Sequence, residues 1–194
     1  MSRRESFAER RERKAAIDDP QVVLEAAARF LEARSRSVAE VRRRLTGAGY
    51  RPDLVDGAIA RMIELGMLDD DAFAHAWVES RDRARPRGER AIRAELGLKG
   101  VDRTIVEAVL EERRAGPARG EGDDDPASAV VSADHAAAER LLARHSRALS
   151  RVPEPRARRQ RAYALLARSG FDPDVCRSVA ASVGAEPEGA QDAG

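Results

Sequence analysis

The chain has 194 residues, and its 35 basic and 34 acidic side chains leave a formal net charge of +1. Its single cysteine excludes a disulfide framework, and with three scattered histidines it supplies no ligand set for a zinc module. No apolar run approaches the roughly 18 residues of a membrane span, and the N-terminus lacks the apolar core of a signal peptide. These features predict a cytoplasmic protein that does not associate with membranes.

Helical signals recur along the chain. The capping box at 37–40 precedes the first strongly periodic apolar segment. Apolar residues over 54–63 then recur on one helix face, and Gly66 is placed to end that helix. Near the C-terminus, Asp172-Pro173 combines an N-cap with a proline at the first helical position. The sequence therefore predicts an all-α fold.

One pattern, Leu-x3-Gly-apolar-x3-apolar-apolar, occurs three times. Shifting the segment 41–59 by 51 and by 121 residues aligns it with two later segments. The aligned leucines are Leu45, Leu96 and Leu166, the glycines are Gly49, Gly100 and Gly170, and the corner residues are Tyr50, Val101 and Phe171. Each copy predicts a helix, a left-handed glycine corner and a second helix, with a further helix preceding them.

The repeats predict an elongated tandem array of three three-helix, helix-turn-helix-like units. The segments between and beyond them are rich in small and charged residues and cannot bury enough apolar surface to order themselves. The predicted organisation is a disordered tail at 1–20, repeats at 21–66, 67–114 and 133–184, an acidic Gly/Pro linker at 115–132, and a disordered tail at 185–194.

Residue types that carry out catalysis or bind metals do not form a recognisable motif in the sequence. Asp69–Asp71 is placed to cap a helix, and His75, His135 and His145 stand isolated. Cys176 occupies an apolar position of the repeat, which predicts a buried thiol. The sequence contains no phosphate-binding loop, nucleophile elbow or zinc-protease motif. We therefore expect a protein that is not an enzyme and needs neither a metal nor a cofactor.

Basic clusters recur on or just before the middle helix of each repeat. The clusters 42–44 and 156–161 lack carboxylates at most of the i±4 positions that would neutralise them. Such charge fits a polyanion or an acidic protein surface, and the alternative is a solvated polar face. The candidate binding residues are Arg42, Arg43, Arg44, Arg90, Arg93, Lys99, Arg156, Arg158, Arg159 and Arg161.

The order and spacing of the core residues resemble those of the RecX family of bacterial recombinase regulators. The resemblance rests above all on the central stretch Gly-x3-Ile-x3-Leu-x2-Lys-Gly-Val at 88–101, and on Ser-x3-Val-x3-Leu-x3-Gly-Tyr at 37–50. Smaller matches are Phe30-Leu31, the segment 69–74, Trp77-Val78 and Arg81. The match is strong over 21–114 and extends to 133–184 by repeat register.

The resemblance implies a monomeric modulator that binds along the helical groove of the RecA–DNA filament. It implies inhibition of RecA ATPase, strand exchange and coprotease activity, and hence regulation of recombination, DNA repair and the SOS response. The basic clusters are compatible with a groove that contains DNA phosphates. An autonomous helix-turn-helix DNA-binding protein is the main alternative, and a passive helical scaffold is a third.

Overall fold

The computed structural model describes residues 6–115 and 132–183. These residues form eleven α-helices and no β-strand, which confirms the predicted all-α class. In chain order the helices are α1 (Phe7–Ala15), α2 (Pro20–Leu31), α3 (Val38–Ala48), α4 (Pro52–Glu64), α5 (Asp70–Ala84), α6 (Glu89–Lys99), α7 (Arg103–Ala115), α8 (Ala133–Arg144), α9 (Ser146–Ser150), α10 (Pro155–Arg168) and α11 (Pro173–Ala181). The predicted linker at 115–132 and tail at 185–194 lie almost wholly outside the described residues.

We retain the division into three repeats as a proposal and call them repeat 1 (α2–α4), repeat 2 (α5–α7) and repeat 3 (α8–α11). Repeat 3 contains four helices rather than the predicted three, because the short helix α9 lies between α8 and α10. By backbone proximity the described chain divides into two compact units. The first comprises residues 6–76 and 96–106, and the second comprises 77–95, 107–115 and 132–183.

The core of the first unit lies between α2, α3 and α4. These helices contribute Val23, Leu45, Ile59 and Met62, each at most 3% exposed. The four residues lie on the apolar faces that the helical periodicity of the sequence predicts. Burial of those faces against one another holds the three helices together.

The core of the second unit includes α8, α9, α10 and α11. Leu142, Leu166, Phe171 and Cys176 are among its buried residues. The Cys176 thiol donates a weak hydrogen bond to the carbonyl oxygen of Phe171 at 3.6 Å, and burial raises the pKa of this thiol. The predicted core thiol is confirmed, and its protonated form is a poor nucleophile.

The glycine of each sequence repeat ends a helix in the left-handed conformation. The φ angles of Gly49, Gly100 and Gly170 are +103°, +78° and +83°. Residues with a side chain rarely adopt this conformation, so glycine is favoured at the corner. The leucine four positions before each glycine is at most 2% exposed. The repeated pattern therefore encodes a helix, a glycine corner and a helix, as predicted.

Within the first unit, the N-terminus of α3 contacts the corner at Gly100. The fully buried Ser37 donates a hydrogen bond from Oγ to the carbonyl oxygen of Lys99 at 2.6 Å. The backbone N–H of Val38 donates to Oδ1 of Asp70 at 2.8 Å. These bonds satisfy donors at the start of α3 and join repeat 1 to repeat 2.

Within the second unit, the N-terminus of α6 contacts the corner at Gly170 in the same way. The N–H of Gly88 donates to the carbonyl oxygen of Ser169 at 3.0 Å, and the N–H of Glu89 donates to Oδ2 of Asp134 at 3.2 Å. Gly88 and Glu89 lie 51 residues after Ser37 and Val38, the donors at the start of α3. Ser169 lies 70 residues after Lys99, which supplies the equivalent carbonyl oxygen. These are the intervals of the sequence repeat, so the same contact occurs at equivalent positions of the repeats. We call this contact the repeat junction.

A helix covers each corner glycine closely. A Cβ atom added to each glycine shows how much space is left there, measured as the distance from that Cβ to the nearest atom. That distance is 3.0 Å to Cα of Arg11 for Gly49, 2.5 Å to Cβ of Ala39 for Gly100, and 2.4 Å to Cβ of Ala91 for Gly170. Helices α1, α3 and α6 thus occupy equivalent places, and α1 covers the corner of repeat 1.

Helix α1 corrects the prediction of a disordered tail at 1–20. It begins with a capping box in which Ser6 Oγ accepts from the N–H of Glu9 at 3.2 Å, while the Glu9 carboxylate accepts from the N–H of Ser6 at 2.7 Å. Near its other end, Lys14 Nζ donates to Oη of Tyr50 at 3.0 Å. The helix contains no buried residue, so capping and this distant contact hold it in place.

Candidate partner-binding surface

The ten predicted binding residues lie on α3, α6 and α10, the middle helices of the three repeats. On α3, Arg42 forms an ion pair with Asp56 of α4. Arg43 makes a long hydrogen bond of 3.5 Å to the carbonyl oxygen of Leu98, and the Arg44 guanidinium lies 5.7 Å from the centre of the Phe30 ring. The i±4 rule concerns carboxylates on the same helix, whereas the carboxylate that pairs with Arg42 comes from the neighbouring helix.

The predicted residues of α6 are also largely engaged within the fold. Arg93 Nε donates to Glu107 at 2.7 Å, and its Nη2 donates to Glu89 at 2.9 Å. The hydrogen bond with Glu107 is the largest of the influences that raise the pKa of Arg93. Arg90 is exposed, and its side chain forms no ion pair with the described residues. Of these side chains, Arg90 is the one left open to a partner.

Lys99 at the end of α6 belongs to an ion cluster at the first repeat junction. Its Nζ donates to Oε1 of Glu40 at 2.9 Å, and Arg34 donates to the same oxygen at 2.9 Å. Burial by itself disfavours the Glu40 carboxylate, but the bonds from Arg34, Lys99 and the N–H of Ser37 outweigh it and lower the pKa of Glu40 to about 2. We therefore assign Lys99 chiefly to the junction.

Changing Glu40 to Gln is expected to destabilise the chain at neutral pH and to have little effect in strong acid. A carboxyl whose pKa is depressed on folding stabilises the fold above its ordinary pKa of 4.5, and that contribution is lost as the pH falls toward 2. The shift corresponds to at most about 3 kcal/mol. Urea unfolding of both proteins at several pH values measures the difference, and a constant difference from pH 7 to pH 2.5 would contradict the assignment.

The predicted residues of α10 have a different environment. Arg156, Arg159 and Arg161 are exposed, and within the described residues none of their side chains forms an ion pair. Arg158 donates to the carbonyl oxygen of Val152 at 3.1 Å, which fixes the chain at the start of the helix. Arg156, Arg159 and Arg161 therefore remain available to an external partner.

The shortage of carboxylates around α10 is a property of its sequence. Residues 140–168 contain nine arginines and one acidic residue, Glu154. The Glu154 carboxylate caps α10 by accepting from the N–H of Arg156 at 2.8 Å and from the N–H of Ala157 at 2.5 Å. Its charge thus lies at the helix N-terminus, where the helix dipole favours it. The arginines farther along the helix receive no neutralising partner from it.

A shallow groove of about 320 Å³ lies between α9 and α10. Two arginines and one histidine line it, Arg161 and Arg168 from α10 and His145 from the start of α9, and Leu149 and Leu165 supply apolar lining. No carboxylate lines the groove. The geometry suits a phosphate or carboxylate group that accepts from guanidinium donors. We call Arg156, Arg159, Arg161, Arg168 and His145 the α10 basic surface. Arg156 and Arg159 belong to it as exposed cations of the same helix and do not line the groove.

The sequence prediction missed two members of this surface. Arg168 lies seven residues after Arg161, and two helical turns place such residues on one face, so its membership could have been found from spacing. His145 lies between α8 and α9, and no local pattern relates it to α10.

The part of the chain that the structure describes contains neither a metal-binding group of side chains nor a helix that could span a membrane. In 6–115 and 132–183, no three His, Cys, Asp or Glu side chains are grouped so that they could hold a metal ion. Over the same ranges, no helix has both the length and the apolar character needed to cross a bilayer.

Comparison with known proteins gives a consistent result. Residues 24–62 match the family model of the RecX first three-helix domain, and residues 69–110 match that of the second. The crystal structure of RecX from Lactobacillus salivarius superposes with a TM-score of 0.67 at 19% identity, covering 86% of this chain and 97% of that chain. At that identity the likeness concerns the fold alone.

Curated relatives carry the comparison further. Regulatory protein RecX of Mycobacterium sp. (strain JLS) is 41% identical over 91 residues, and this match spans about half of the relative (50%) and 47% of this chain. Regulatory protein RecX of Mycobacterium marinum is 34% identical over 160 residues, which cover 81% of this chain and 83% of the relative. Since this similarity extends over most of both chains and both three-helix domains match, the chain belongs to the RecX family of regulatory proteins.

Proposed function

We propose that the chain binds the RecA nucleoprotein filament as a monomer, along its helical groove, and inhibits RecA ATPase, strand exchange and coprotease activity. Through this inhibition it modulates recombination, DNA repair and the SOS response in the cytoplasm. Membership of the RecX family supports a regulatory role. The filament is proposed as the target because of the family resemblance. The α10 basic surface is the observation that supports the proposal and indicates which residues make the contact.

The charge of the α10 basic surface indicates the kind of partner. Three exposed arginines of one helix, Arg156, Arg159 and Arg161, have no carboxylate partners within the described residues, and an anionic partner would neutralise this concentration of positive charge. A filament containing DNA presents regularly spaced phosphates, and planar guanidinium groups bind phosphates in a two-pronged geometry. Arg90 extends the proposed contact, whereas Arg42, Arg93, Lys99 and Arg158 act mainly within the fold.

We propose that inhibition results from occupancy rather than from chemistry performed by this chain. Occupancy predicts that inhibition saturates as the protein concentration rises and weakens as salt screens the contacts. Treating this chain with a chelating agent that is removed before the assay should leave inhibition unchanged, because occupancy requires no metal bound to this chain.

The test compares the wild-type chain with a triple variant in which Arg156, Arg159 and Arg161 are changed to Gln. RecA ATPase is measured on single-stranded DNA while each protein is titrated. The triple variant is expected to require at least about tenfold more protein for half-inhibition, since a hydrogen bond to a charged group contributes about 1.5–3 kcal/mol. The dependence of inhibition on salt should also become shallower.

A matched control removes the same number of charges elsewhere. Arg61, Arg83 and Arg177 are exposed and pair with acidic residues one turn away on their own helices. Changing these three to Gln should leave half-inhibition within about twofold, since exposed pairs contribute little. Equal effects of the two triple variants would contradict a specific role for the α10 basic surface.

An autonomous DNA-binding function is the second candidate, because the same arginines could contact the phosphates of a naked duplex. The two functions differ in their preferred target. A filament regulator binds the RecA–DNA filament more tightly than the duplex alone, whereas a DNA-binding protein does not need RecA. Tight binding to bare duplex together with unchanged RecA ATPase would favour the second candidate.

A further inference from the structure

A second basic site lies in the first unit, apart from the α10 basic surface. Helices α1, α2 and α3 enclose a crevice of about 320 Å³. Its polar lining comes from Lys14 of α1, Arg29 of α2 and Arg44 of α3, and Phe30 and Tyr50 supply aromatic lining. We call these five residues the α1 crevice. It depends on α1, which begins upstream of the residues that match the family domains.

The three cations of the α1 crevice have no acidic partners. No carboxylate lines the crevice, and none of Lys14, Arg29 and Arg44 forms an ion pair within the described residues. On the same helix as Arg44, Arg42 does find a carboxylate in Asp56. The fold therefore neutralises one side of α3 and leaves a concentrated positive charge on the side that faces the crevice.

Aromatic rings contact two of these three cations, Lys14 and Arg44. Lys14 Nζ lies 4.3 Å from the centre of the Tyr50 ring and donates to its hydroxyl oxygen at 3.0 Å. The guanidinium of Arg44 lies 5.7 Å from the centre of the Phe30 ring, and that of Arg36 lies 4.3 Å from the same ring. Cation–π contacts of this kind restrain long side chains while leaving their N–H groups free to donate. The donors of Lys14 and Arg44 are thus positioned before any ligand arrives.

We propose that the α1 crevice binds a nucleotide, with the phosphate held by Lys14, Arg29 and Arg44. The base lies against the half-buried apolar lining supplied by Ala26, Phe30 and Ala48. The phosphate accepts from two guanidinium groups and one ammonium group, which is a typical donor set for this anion. Cations beside aromatic rings also characterise sites that bind single nucleotide units of a strand. The volume is at the lower end for a ligand pocket and matches one such unit.

An acidic peptide would satisfy the cations but would not cover the apolar lining of the crevice. A carboxylate side chain is short and carries no ring that could cover Phe30, whereas a nucleotide supplies an anion and a planar ring a few bonds apart. The nucleotide could be free or part of a single strand, since both offer the same chemistry. The proposal stands apart from RecA inhibition, because it concerns binding to this chain alone.

The test is calorimetric titration of the full chain with deoxythymidine monophosphate, an eight-residue oligodeoxythymidine, inorganic phosphate and an octapeptide of glutamate. Deoxythymidine monophosphate is expected to bind more tightly than inorganic phosphate. Changing Arg44 or Lys14 to Gln should weaken its binding at least about tenfold, because each removes a hydrogen bond to a charged group. Oligodeoxythymidine that binds at the same site and is displaced by the monophosphate would identify a strand as a source.

The control variant is Arg10→Gln. Arg10 is an exposed residue of α1 that does not line the crevice, so this change removes the same charge from the same helix. It should alter monophosphate binding less than twofold. Equal weakening by Arg10→Gln and Arg44→Gln would overturn the proposal, as would glutamate peptide binding that matches or exceeds monophosphate binding.

A further variant distinguishes a change in the position of α1 from the loss of a ligand contact. Tyr50→Phe keeps the ring but removes the oxygen that accepts from Lys14, so it should weaken monophosphate binding less than Lys14→Gln does. Helicity and melting temperature are measured for every variant. If monophosphate does not bind the well-folded wild-type chain, the proposal is wrong whatever the RecA assay shows. Loss of RecA inhibition with monophosphate binding intact would count only against the proposed function.

Discussion

Changing Gly88 to Ala is expected to destabilise the chain by about 1–3 kcal/mol or more. A Cβ atom at this position would lie 2.3 Å from the backbone carbon and oxygen of Gly170. Neither atom can swing aside as a flexible side chain would, so α6 and the corner would have to separate. The N–H of Gly88 would then lose its hydrogen bond to the carbonyl oxygen of Ser169. The cost therefore combines steric overlap with a broken repeat junction.

Gly97 provides the matched control on the same helix. A Cβ atom added there would meet nothing within 4 Å, so Gly97→Ala should be neutral or should stabilise by about 0.5–1 kcal/mol through its better helix propensity. Urea unfolding monitored by far-ultraviolet circular dichroism measures both variants. Equal free energies of unfolding for the two variants would show that the close approach at Gly88 is absent.

Changing Arg113 to Met is expected to cost about 3–5 kcal/mol, because it leaves the partly buried Asp134 without its arginine. The change also leaves Asp82 with only a longer ion pair of 3.8 Å to Arg140. The Arg113 side chain is 6% exposed. Its Nε and Nη2 donate to the two carboxylate oxygens of Asp82 at 2.9 and 3.0 Å, and its Nη1 donates to Asp134 at 2.5 Å. Burial alone would lower the pKa of Arg113, but these bonds raise it, so the guanidinium stays charged.

Arg114→Met is the control, since the neighbouring residue is also ion-paired but differs in burial. Its side chain is 43% exposed, and it pairs with Glu89 and Glu111. Exposed pairs of this kind contribute about 0–1 kcal/mol, so the control should unfold at nearly the wild-type urea concentration. The pairing of Arg113 would be shown to be unimportant if both variants lost the same stability.

Much of the fold could be predicted because it depends on local patterns. The spacing of Leu45, Leu96 and Leu166 and the three corner glycines repeats at the level of single residues, and buried leucines and left-handed glycines follow from it. Helix α1 could not be predicted from composition, because it buries no side chain. Its one local signal is the Ser6–Glu9 capping box, and its anchor, Tyr50, lies 36 residues after Lys14.

The candidate site could be predicted less well because charge pairing is a tertiary property. The i±4 rule detects partners on the same helix, but Asp56, the partner of Arg42, lies 14 residues away on the next helix. The cluster on α10 lacks carboxylates both nearby in sequence and in its ion pairs, since residues 140–168 contain a single acidic residue, Glu154. Composition over a longer window was thus a better guide than local spacing.

The repeat junction places few demands on the side chains of the residues that supply its carbonyl oxygens. At the second junction the N–H of Gly88 donates to the carbonyl oxygen of Ser169. Every residue has a backbone carbonyl oxygen, and every residue except proline has a backbone N–H. At the first junction Lys99 likewise contributes its carbonyl oxygen. Mutation can therefore replace the side chain at such a carbonyl position without removing the bond. As far as these two bonds are concerned, the amino acid at either carbonyl position can change while the junction is kept.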